Sequence, residues 1–180
     1  MPKTLPKIIA LCGNPKSGKS LTGELLAAEF GYSIQDDGRF LRDIAIANFG
    51  LTEEDVTTQE GKAKKIVVNG AEMTVRELLG RLGDAFENEF GADVIPEIAV
   101  RRAQMTENGR YLFPSVRREQ GAYYKALGGV VIEIDSPAPP SPFKFDSYNK
   151  DHVDHVINNP GPEGGIEALR SDMGRILAIA

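Results

Sequence analysis

The stretch Gly13-Asn14-Pro15-Lys16-Ser17-Gly18-Lys19-Ser20 decides how the rest of the chain is interpreted. It matches the pattern G-x-x-x-x-G-K-S of a phosphate-binding loop, which requires a strand before it and a helix after it. The apolar run 7–12 is typical of a buried parallel strand. After the loop, apolar residues recur three or four positions apart, as on a helix; they are Leu21, Leu25 and Ala28 on one line, with Leu26 and Phe30 on another. The context therefore favours a phosphate-binding loop over a glycine turn that binds nothing.

The residue types in this loop suit a bound triphosphate. Gly13 and Gly18 allow backbone angles that other residues avoid, so successive N–H groups can turn inward around an anion at the positive end of the helix dipole. Lys19 is placed to reach the β- and γ-phosphates, and the Ser20 hydroxyl is placed to bind Mg²⁺. We therefore predict ATP and Mg²⁺ as ligands. The predicted ATP site consists of Gly13, Asn14, Lys16, Ser17, Gly18, Lys19, Ser20 and Leu21. Within it, Lys16 either leans over the phosphates or is a solvated loop lysine.

Length and composition indicate one soluble α/β domain over residues 1–180. The net charge of −5 argues against a stable nucleic-acid partner, because broad nucleic-acid binding depends on basic surface. Cys12 is the only cysteine, so no intrachain disulfide can form, and a packed, inert thiol is expected. No apolar run approaches the ~18 residues of a membrane span, and the N-terminus lacks the apolar core of a signal peptide. These features predict a cytoplasmic protein without a membrane partner.

The second predicted strand covers 32–35, and two carboxylates follow it directly. Asp36 and Asp37 fall at its carboxyl end, where open α/β sheets build their sites. Asp37 can also be the N-cap of the next helix, and the two roles are compatible. We expect at least one of these acids to face the substrate.

A small excursion from the main sheet is predicted at about 60–106. Asn69-Gly70 indicates a hairpin turn, and Thr74 with Glu77 forms a capping box that opens a helix. Arg76 lies in the first turn of that helix, where a cation opposes the dipole, so either an anionic ligand or simple surface exposure accounts for it. The residues Lys62, Lys64 and Lys65 are interpreted as a solvated basic surface rather than a phosphate patch.

The second helix of the excursion is expected at 94–105. Arg101 and Arg102 lie near its end, where they either cap the helix or close over phosphates as a lid. His152 and His155 are three positions apart, and without cysteines or a third ligand at a familiar spacing they do not indicate a zinc site.

The remaining segments complete the predicted sheet. The run 111–117 reads as a strand that delivers Arg117 to its carboxyl end, near the phosphate loop if the strands are parallel. Further strands are expected at 130–134 and 155–157, before a final helix. Its expected packed face is Ile166, Leu169, Met173, Ile176 and Leu177. The alternation of strands and helices predicts a three-layer α/β fold of the P-loop NTPase type, with a roughly five-stranded, mostly parallel sheet flanked by helices.

The order of these pieces resembles the bacteriophage deoxynucleoside monophosphate kinases over nearly the whole chain. Besides the phosphate loop, the resemblance depends on the segments 49–54, 74–83, 115–120, 126–129 and 154–159. The family's helix motif resembles T-x-R-E-L-L-Q-x-L-G, so Arg76 matches its arginine. A second motif resembles D-V-R-F-x-N-E, so Arg117 matches its arginine. Here Ser115 stands where the family usually has aspartate, and Arg118 replaces an aromatic residue.

The resemblance implies ATP- and Mg²⁺-dependent phosphorylation of a deoxynucleoside 5′-monophosphate to its diphosphate. Lys19, Arg117 and Asp37 are then the catalytic residues, and Asp36, Arg76 and Arg117 bind the acceptor. It also places the turn 158–159 beside adenine and makes a homodimer plausible. Serine cannot replace a carboxylate in taking a proton or binding Mg²⁺.

The serine at position 115 leaves alternatives open. Either Asp36 or Asp37 supplies the missing acid, or activity is weakened or redirected. The other readings are a kinase that acts on a modified base in DNA or on a small metabolite, and a nucleotide-binding module that has lost catalysis.

Overall fold

A computed structural model describes residues 5–161 and 165–179. In chain order its strands are β1 (Ile8–Cys12), β2 (Ser33–Ile34), β3 (Lys65–Val68), β4 (Ala71–Thr74), β5 (Tyr111–Phe113), β6 (Val130–Asp135) and β7 (His155–Asn158). Its helices are α1 (Lys19–Phe30), α2 (Arg39–Phe49), α3 (Glu53–Thr57), α4 (Gln59–Ala63), α5 (Val75–Phe90), α6 (Val94–Ala103), α7 (Gln120–Ala126) and α8 (Gly165–Ile179). Two short 3₁₀ helices lie at Lys144–Asp146 and Lys150–His152.

The main sheet is five-stranded and parallel, which confirms the predicted architecture. Its order is β2-β5-β1-β6-β7, and β1 pairs with β5 on one side and β6 on the other. The chain leaves β1 for one half of the sheet and later crosses to the other half. The order therefore reverses at β1, and a crevice opens beyond its carboxyl end. The phosphate loop begins at that point.

Alternating residues of β1 face two separate layers of core, because side chains alternate across a strand. Ile9 and Leu11 pack in a cluster with residues of α1 and α8. Ile8, Ala10 and Cys12 pack in another cluster that includes residues of α6 and α7. Burial raises the pKa of the Cys12 thiol to about 12, so this cysteine is a packed side chain, as expected.

The predicted excursion exists as a hairpin followed by two helices. β3 and β4 pair antiparallel around Asn69 and Gly70, which both have positive φ. Thr74 and Glu77 form the expected capping box at the start of α5. A third cluster of buried side chains joins α5 to α2 and α3, so the excursion packs against the helices that follow β2.

Several boundaries and faces differ from the sequence predictions. β2 is shorter than 32–35, and α6 ends before Met105. Leu21 and Ala28 are exposed in α1, whose buried face includes Thr22 and Gly23 beside Leu25 and Leu26. Ile166 of α8 is also exposed. The spacing of apolar residues predicted which face of α1 is buried, but the small residues Thr22 and Gly23 let the helix lie closer to the sheet on a different face. A Cβ on Gly23, for example, would lie 3.0 Å from Leu112.

Among the described residues, no helix is long and apolar enough to cross a lipid bilayer.

Candidate functional site

The phosphate loop has the backbone geometry that its glycines allow. Gly13, Lys16 and Gly18 all have positive φ, at 140°, 66° and 99°. A Cβ on Gly13 would lie 2.5 Å from the Ile134 carbonyl oxygen, and one on Gly18 would collide with the side chain of Asn159. Gly13 is therefore required by packing against backbone as well as by its backbone angle, and Gly18 is favoured by its backbone angle.

Lys19 lies across this loop. Its Nζ donates to the carbonyl oxygens of Gly13 and Asn14, at 2.7 and 2.8 Å. An ammonium group has three donors, so one is left for an anion held by the loop. Burial, followed by the nearby charge of Arg117, lowers the pKa of Lys19 to about 8. An arriving anion would therefore stabilise its charged form.

The other residues of the predicted ATP site differ in exposure. Ser20 is exposed in the first turn of α1, and Lys16 and Leu21 are exposed beside it. Ser17 is buried, and its Oγ has no hydrogen-bond partner among the described residues. Its main-chain carbonyl accepts a 2.8 Å bond from the Asn159 side chain. The turn after β7 thus contacts the phosphate loop. This is the turn that the family resemblance places beside adenine.

A cleft lies beside this loop, and one of its lining residues, Arg117, is close enough for its charge to act on Lys19. Cationic side chains from α2, α4, α5 and the loop after β5 line one part of it; they are Arg42, Lys62, Arg76 and Arg117. The charge of Arg117 reaches Lys19, so this cationic group lies next to the phosphate loop. The structure therefore brings together the arginines that the sequence pointed to, Arg76 and Arg117.

Asp146 joins these two arginines and was not foreseen from the sequence. Its buried carboxylate lies 3.2 Å from Arg76 Nη1 and 3.3 Å from Arg117 Nη2, and it accepts a 2.7 Å bond from Ser141 Oγ. It belongs to the proline-rich segment 136–150, which in the sequence has only loop character. No local signal marks one aspartate of such a loop as buried, so only the tertiary contact identifies it.

Lys62 is a correction to the sequence interpretation. It lines the cleft, and burial together with Arg42, Arg76 and Arg117 lowers its pKa to about 8. The neighbouring Lys64 and Lys65 do match the solvated interpretation, because they pair with Asp55 and Glu72 away from the cleft. Lys62 lies in the short helix α4, which the sequence did not predict, whereas Lys64 and Lys65 follow that helix. The side chain of Lys62 therefore reaches the cleft and theirs do not.

Arg101 and Arg102 do not form a lid over phosphates. Arg101 pairs with Glu97 one turn earlier in α6, and Arg102 pairs with Asp43 of α2. Neither arginine lines the cleft. His152 likewise has a local partner, with its Nε2 2.8 Å from Glu119 Oε2.

The two candidate acids occupy different places. Asp37 is buried in the cleft wall, where its Oδ2 accepts a 2.9 Å bond from the main-chain N–H of Ser115. Burial raises the pKa of Asp37 to about 6, and the Ser115 N–H opposes that rise. Asp36 does not line the cleft and pairs with Arg42 at 2.5 Å. The N-cap of α2 is Gly38, so the predicted capping role of Asp37 is wrong.

The position of Asp37 bears on the serine at position 115. Ser115 has no carboxylate in its own side chain, but the carboxylate of Asp37 accepts a hydrogen bond from its main-chain N–H. Asp37 is therefore the acid available at this part of the cleft. Among the described residues, no group of three or more His, Cys, Asp or Glu side chains could hold a metal ion.

No protein-family model matches the chain. A cytidylate kinase from Chloroflexus aggregans is 31% identical over 126 residues, covering 69% of this chain and 53% of that protein. The chain thus spans about half the length of the curated relative that it matches.

Two solved structures share the fold. A dephospho-CoA kinase from Campylobacter jejuni aligns over 95% of this chain and 97% of its own, with a TM-score of 0.53 and 17% identity. TT1252 from Thermus thermophilus aligns over 98% of both chains, with a TM-score of 0.50 and 18% identity. At these identities the likeness concerns the fold, and a closer relation to phage enzymes stays a prediction. The chain therefore has the P-loop kinase fold, with its phosphate-binding loop at the crevice beyond β1.

Proposed function

We propose that this protein is a nucleotide kinase that transfers the γ-phosphate of ATP to a deoxynucleoside 5′-monophosphate. One observation carries the proposal: a cationic group that includes Arg76 and Arg117 lines a cleft directly beside the phosphate loop. A loop for one polyphosphate and a separate cationic site next to it match a reaction between two phosphate esters. The similarity to a cytidylate kinase supports the same class of acceptor.

On the donor side, the chain supplies positioning and charge. The inward N–H groups of the loop and the ammonium of Lys19 hold the phosphates of ATP, and the N-terminus of α1 adds its dipole. Ser20 would hold Mg²⁺, which supplies charge neutralisation between the phosphates when it is bound. The exposed hydroxyl of Ser20 and the orphaned Oγ of Ser17 both fit a loop that receives a polar ligand.

On the acceptor side, Arg76 and Arg117 would clamp the monophosphate, because guanidinium groups match phosphate oxygens through paired hydrogen bonds. Asp146 holds both arginines in place for this contact. A phosphate monoester has a second pKa of about 6 and is largely a dianion at neutral pH. Its attacking oxygen therefore needs no strong general base, and alignment with charge neutralisation suffices.

A kinase acting on a hydroxyl group of a small metabolite is the second candidate, and Asp37 favours it. A hydroxyl acceptor needs a base, and a buried cleft carboxylate whose pKa is about 6 suits that role. The cationic group is the argument against a neutral acceptor. Among the described residues its four cations form ion pairs with only two carboxylates, Asp36 and Asp146, so the group keeps an excess of positive charge that an anionic acceptor would neutralise.

A coupled assay for ADP release tests the proposal directly. The purified protein receives ATP, Mg²⁺ and, one at a time, the common deoxynucleoside and ribonucleoside monophosphates. ADP release that depends on one or more of the monophosphates supports the proposed function. If none of them elicits ADP release, the proposed function is wrong.

Further arms of the assay identify the alternatives. A panel of hydroxyl-bearing metabolites tests the second candidate, and transfer of labelled phosphate to intact DNA tests a polymer acceptor. ATP binding by calorimetry, without turnover of any acceptor, would indicate a nucleotide-binding module.

A further inference from the structure

The cleft continues beyond the cationic group along helix α5. Arg76 lies in the first turn of this helix, and Asp84 and Glu87 line the same cleft two to three turns later. At about 1.5 Å per residue, Asp84 is roughly 12 Å from Arg76 along the helix axis. Between them Gly80 and Gly83 also line the cleft.

The distant part of the cleft is a connected polar wall. Glu87 is almost fully buried, and its two carboxylate oxygens accept from Arg118 Nη1 at 2.6 Å and from Gln120 Nε2 at 2.8 Å. The Gln120 side-chain oxygen accepts a 3.1 Å bond from the main-chain N–H of Arg117. The wall is therefore linked through Gln120 to the loop that carries an arginine of the proposed phosphate clamp.

Asp84 gives this wall an excess of acceptors. One of its oxygens accepts from Arg118 Nη2, while the other has no hydrogen-bond partner among the described residues. Its side chain is 41% exposed. The single guanidinium of Arg118 pairs with two carboxylates, so the wall carries a net negative charge. One oxygen of Asp84 remains available to accept a hydrogen bond, and Arg118 lies beside it as a donor.

Arg118 is held in place at a conformational cost. Its φ is 45°, in the left-handed region that non-glycine residues seldom occupy and that costs of order 1 kcal/mol. Its N–H donates to the Ser147 carbonyl at 2.7 Å, and its carbonyl accepts from the Asn149 N–H at 2.9 Å. These two contacts fix the backbone from both sides, which directs the guanidinium to the pair of carboxylates.

Apolar side chains complete the same cleft. Leu41, Ile95 and Phe145 line it, and Phe145 packs so closely on Gly80 that a Cβ there would collide with its ring. A flat, mostly apolar ring with polar atoms along one edge suits such surroundings, because its faces contact apolar groups while its edge reaches the polar wall.

Resting on the proposed function, we infer that the acceptor carries a base with an exocyclic amino group, which Asp84 and Arg118 select. The free acceptor of Asp84 receives an amino N–H, and Arg118 donates to an adjacent ring nitrogen or carbonyl oxygen. Cytosine, adenine and guanine present such an amino group, whereas thymine and uracil do not. A keto oxygen facing Asp84 would leave two acceptors opposed, which costs binding free energy.

The test compares dCMP with dUMP. Their bases differ at position 4, which carries an amino group in cytosine and a keto oxygen in uracil, and at the adjacent N3, which is an acceptor in cytosine and an N–H donor in uracil. We expect kcat/KM for dCMP to exceed that for dUMP by about tenfold or more, since Asp84 is partly exposed and one tenfold step corresponds to about 1.4 kcal/mol. Asp84→Asn should reduce the ratio to about threefold or less, because an amide can donate to the keto oxygen. Asp172→Asn, which alters an exposed pair on α8, should keep the wild-type ratio.

The outcomes separate this inference from the proposed function. Turnover of dCMP and dUMP within twofold of each other, with neither dAMP nor dGMP turned over faster, overturns the inference and leaves the kinase proposal standing. A preference for dUMP or dTMP over every amino-bearing monophosphate overturns it as well. A higher rate with dAMP or dGMP than with dCMP, while dTMP and dUMP stay poor, supports the inference and names a purine. If no monophosphate is turned over, the proposed function fails. Calorimetric titration then measures the dissociation constants of dCMP and dUMP. Binding of dCMP that is tenfold or more tighter supports the inference, and dissociation constants within twofold of each other overturn it.

Discussion

The phosphate loop and the cleft beside it are built in opposite ways. The loop takes its groups from consecutive residues, 13–20, and most of them are backbone N–H groups. The cleft takes side chains from α2, α4, α5, the loop after β5 and the proline-rich segment, so its residues are far apart in sequence. A contiguous site is specified by local chain geometry, whereas a dispersed site exists only when several elements pack correctly.

This difference has consequences for mutation. The loop depends on a few groups that each contact the donor, so removing one should impair catalysis without unfolding the protein. In the cleft, Asp37 and Asp146 are buried and Lys62 is partly buried, so their charges affect stability as well as binding. The predictions below separate these two behaviours and run from the largest expected effect to the smallest.

Lys19→Ala should reduce kcat by about 10³-fold in the ADP-release assay, because the ammonium of Lys19 stabilises charge that develops on the transferred phosphate. Its thermal unfolding should stay close to that of the wild type. Lys65→Ala is the matched control, since Lys65 pairs with Glu72 on the exposed hairpin. A loss of less than tenfold in the Lys19 variant would contradict the assigned role.

Asp146→Ala should destabilise the protein by about 3 kcal/mol, because two partly buried arginines lose their shared carboxylate. Urea unfolding measures this free energy. The KM for the acceptor should also rise, while the KM for ATP stays nearly constant. Asp151→Ala, in the following 3₁₀ helix, alters an exposed aspartate and serves as control. An unchanged unfolding midpoint for the Asp146 variant would show that the carboxylate does not organise the arginines.

Asp37→Asn should stabilise the protein by about 3 kcal/mol at pH 7.5 and by little at pH 4. The pKa of Asp37 is raised to about 6 in the folded protein, so ionising this buried acid destabilises the fold. That destabilisation is absent below the unfolded pKa near 4, develops between about pH 4 and 6, and is complete above pH 6. The asparagine can still accept the Ser115 N–H. Equal unfolding free energies of the two proteins at pH 7.5 would contradict this account.

The same variant separates the two candidate acceptor classes. If the acceptor is a phosphate, kcat of Asp37→Asn should fall only several-fold, because no base is needed. A loss beyond about 10²-fold, with a hydroxyl acceptor, would indicate a general base.

Lys62→Met should raise the KM for the monophosphate by a few fold at pH 7, the smallest of these effects. In the wild type this KM should rise above pH 8, where Lys62 loses its charge, and the variant should lack much of that rise. The measurement is made at saturating ATP, which limits the contribution of Lys19. Lys64→Met on the same stretch should leave the acceptor KM unchanged, since Lys64 pairs with Asp55.

The parallel sheet, the hairpin and the capping box of α5 were predictable because their signals are local. Asn69-Gly70 sets a turn, Thr74 with Glu77 starts a helix, and apolar runs such as 8–12 define buried strands. The resemblance at Arg76 and Arg117 also pointed to the cleft. The interpretation of Lys62 as surface failed because α4, only a short helix, turns one lysine inward and leaves its neighbours outside.

The sequence by itself therefore determined the phosphate loop, since glycine positions and one lysine fix the backbone cradle wherever a strand meets a helix. It also determined the alternation that yields a parallel sheet. Only the tertiary structure decided which charges share the cleft: Asp146 with the two arginines, Asp37 at the Ser115 N–H, and Arg118 between Asp84 and Glu87. The physical reason is that desolvation and charge pairing depend on which distant segments meet, and no local pattern contains that information.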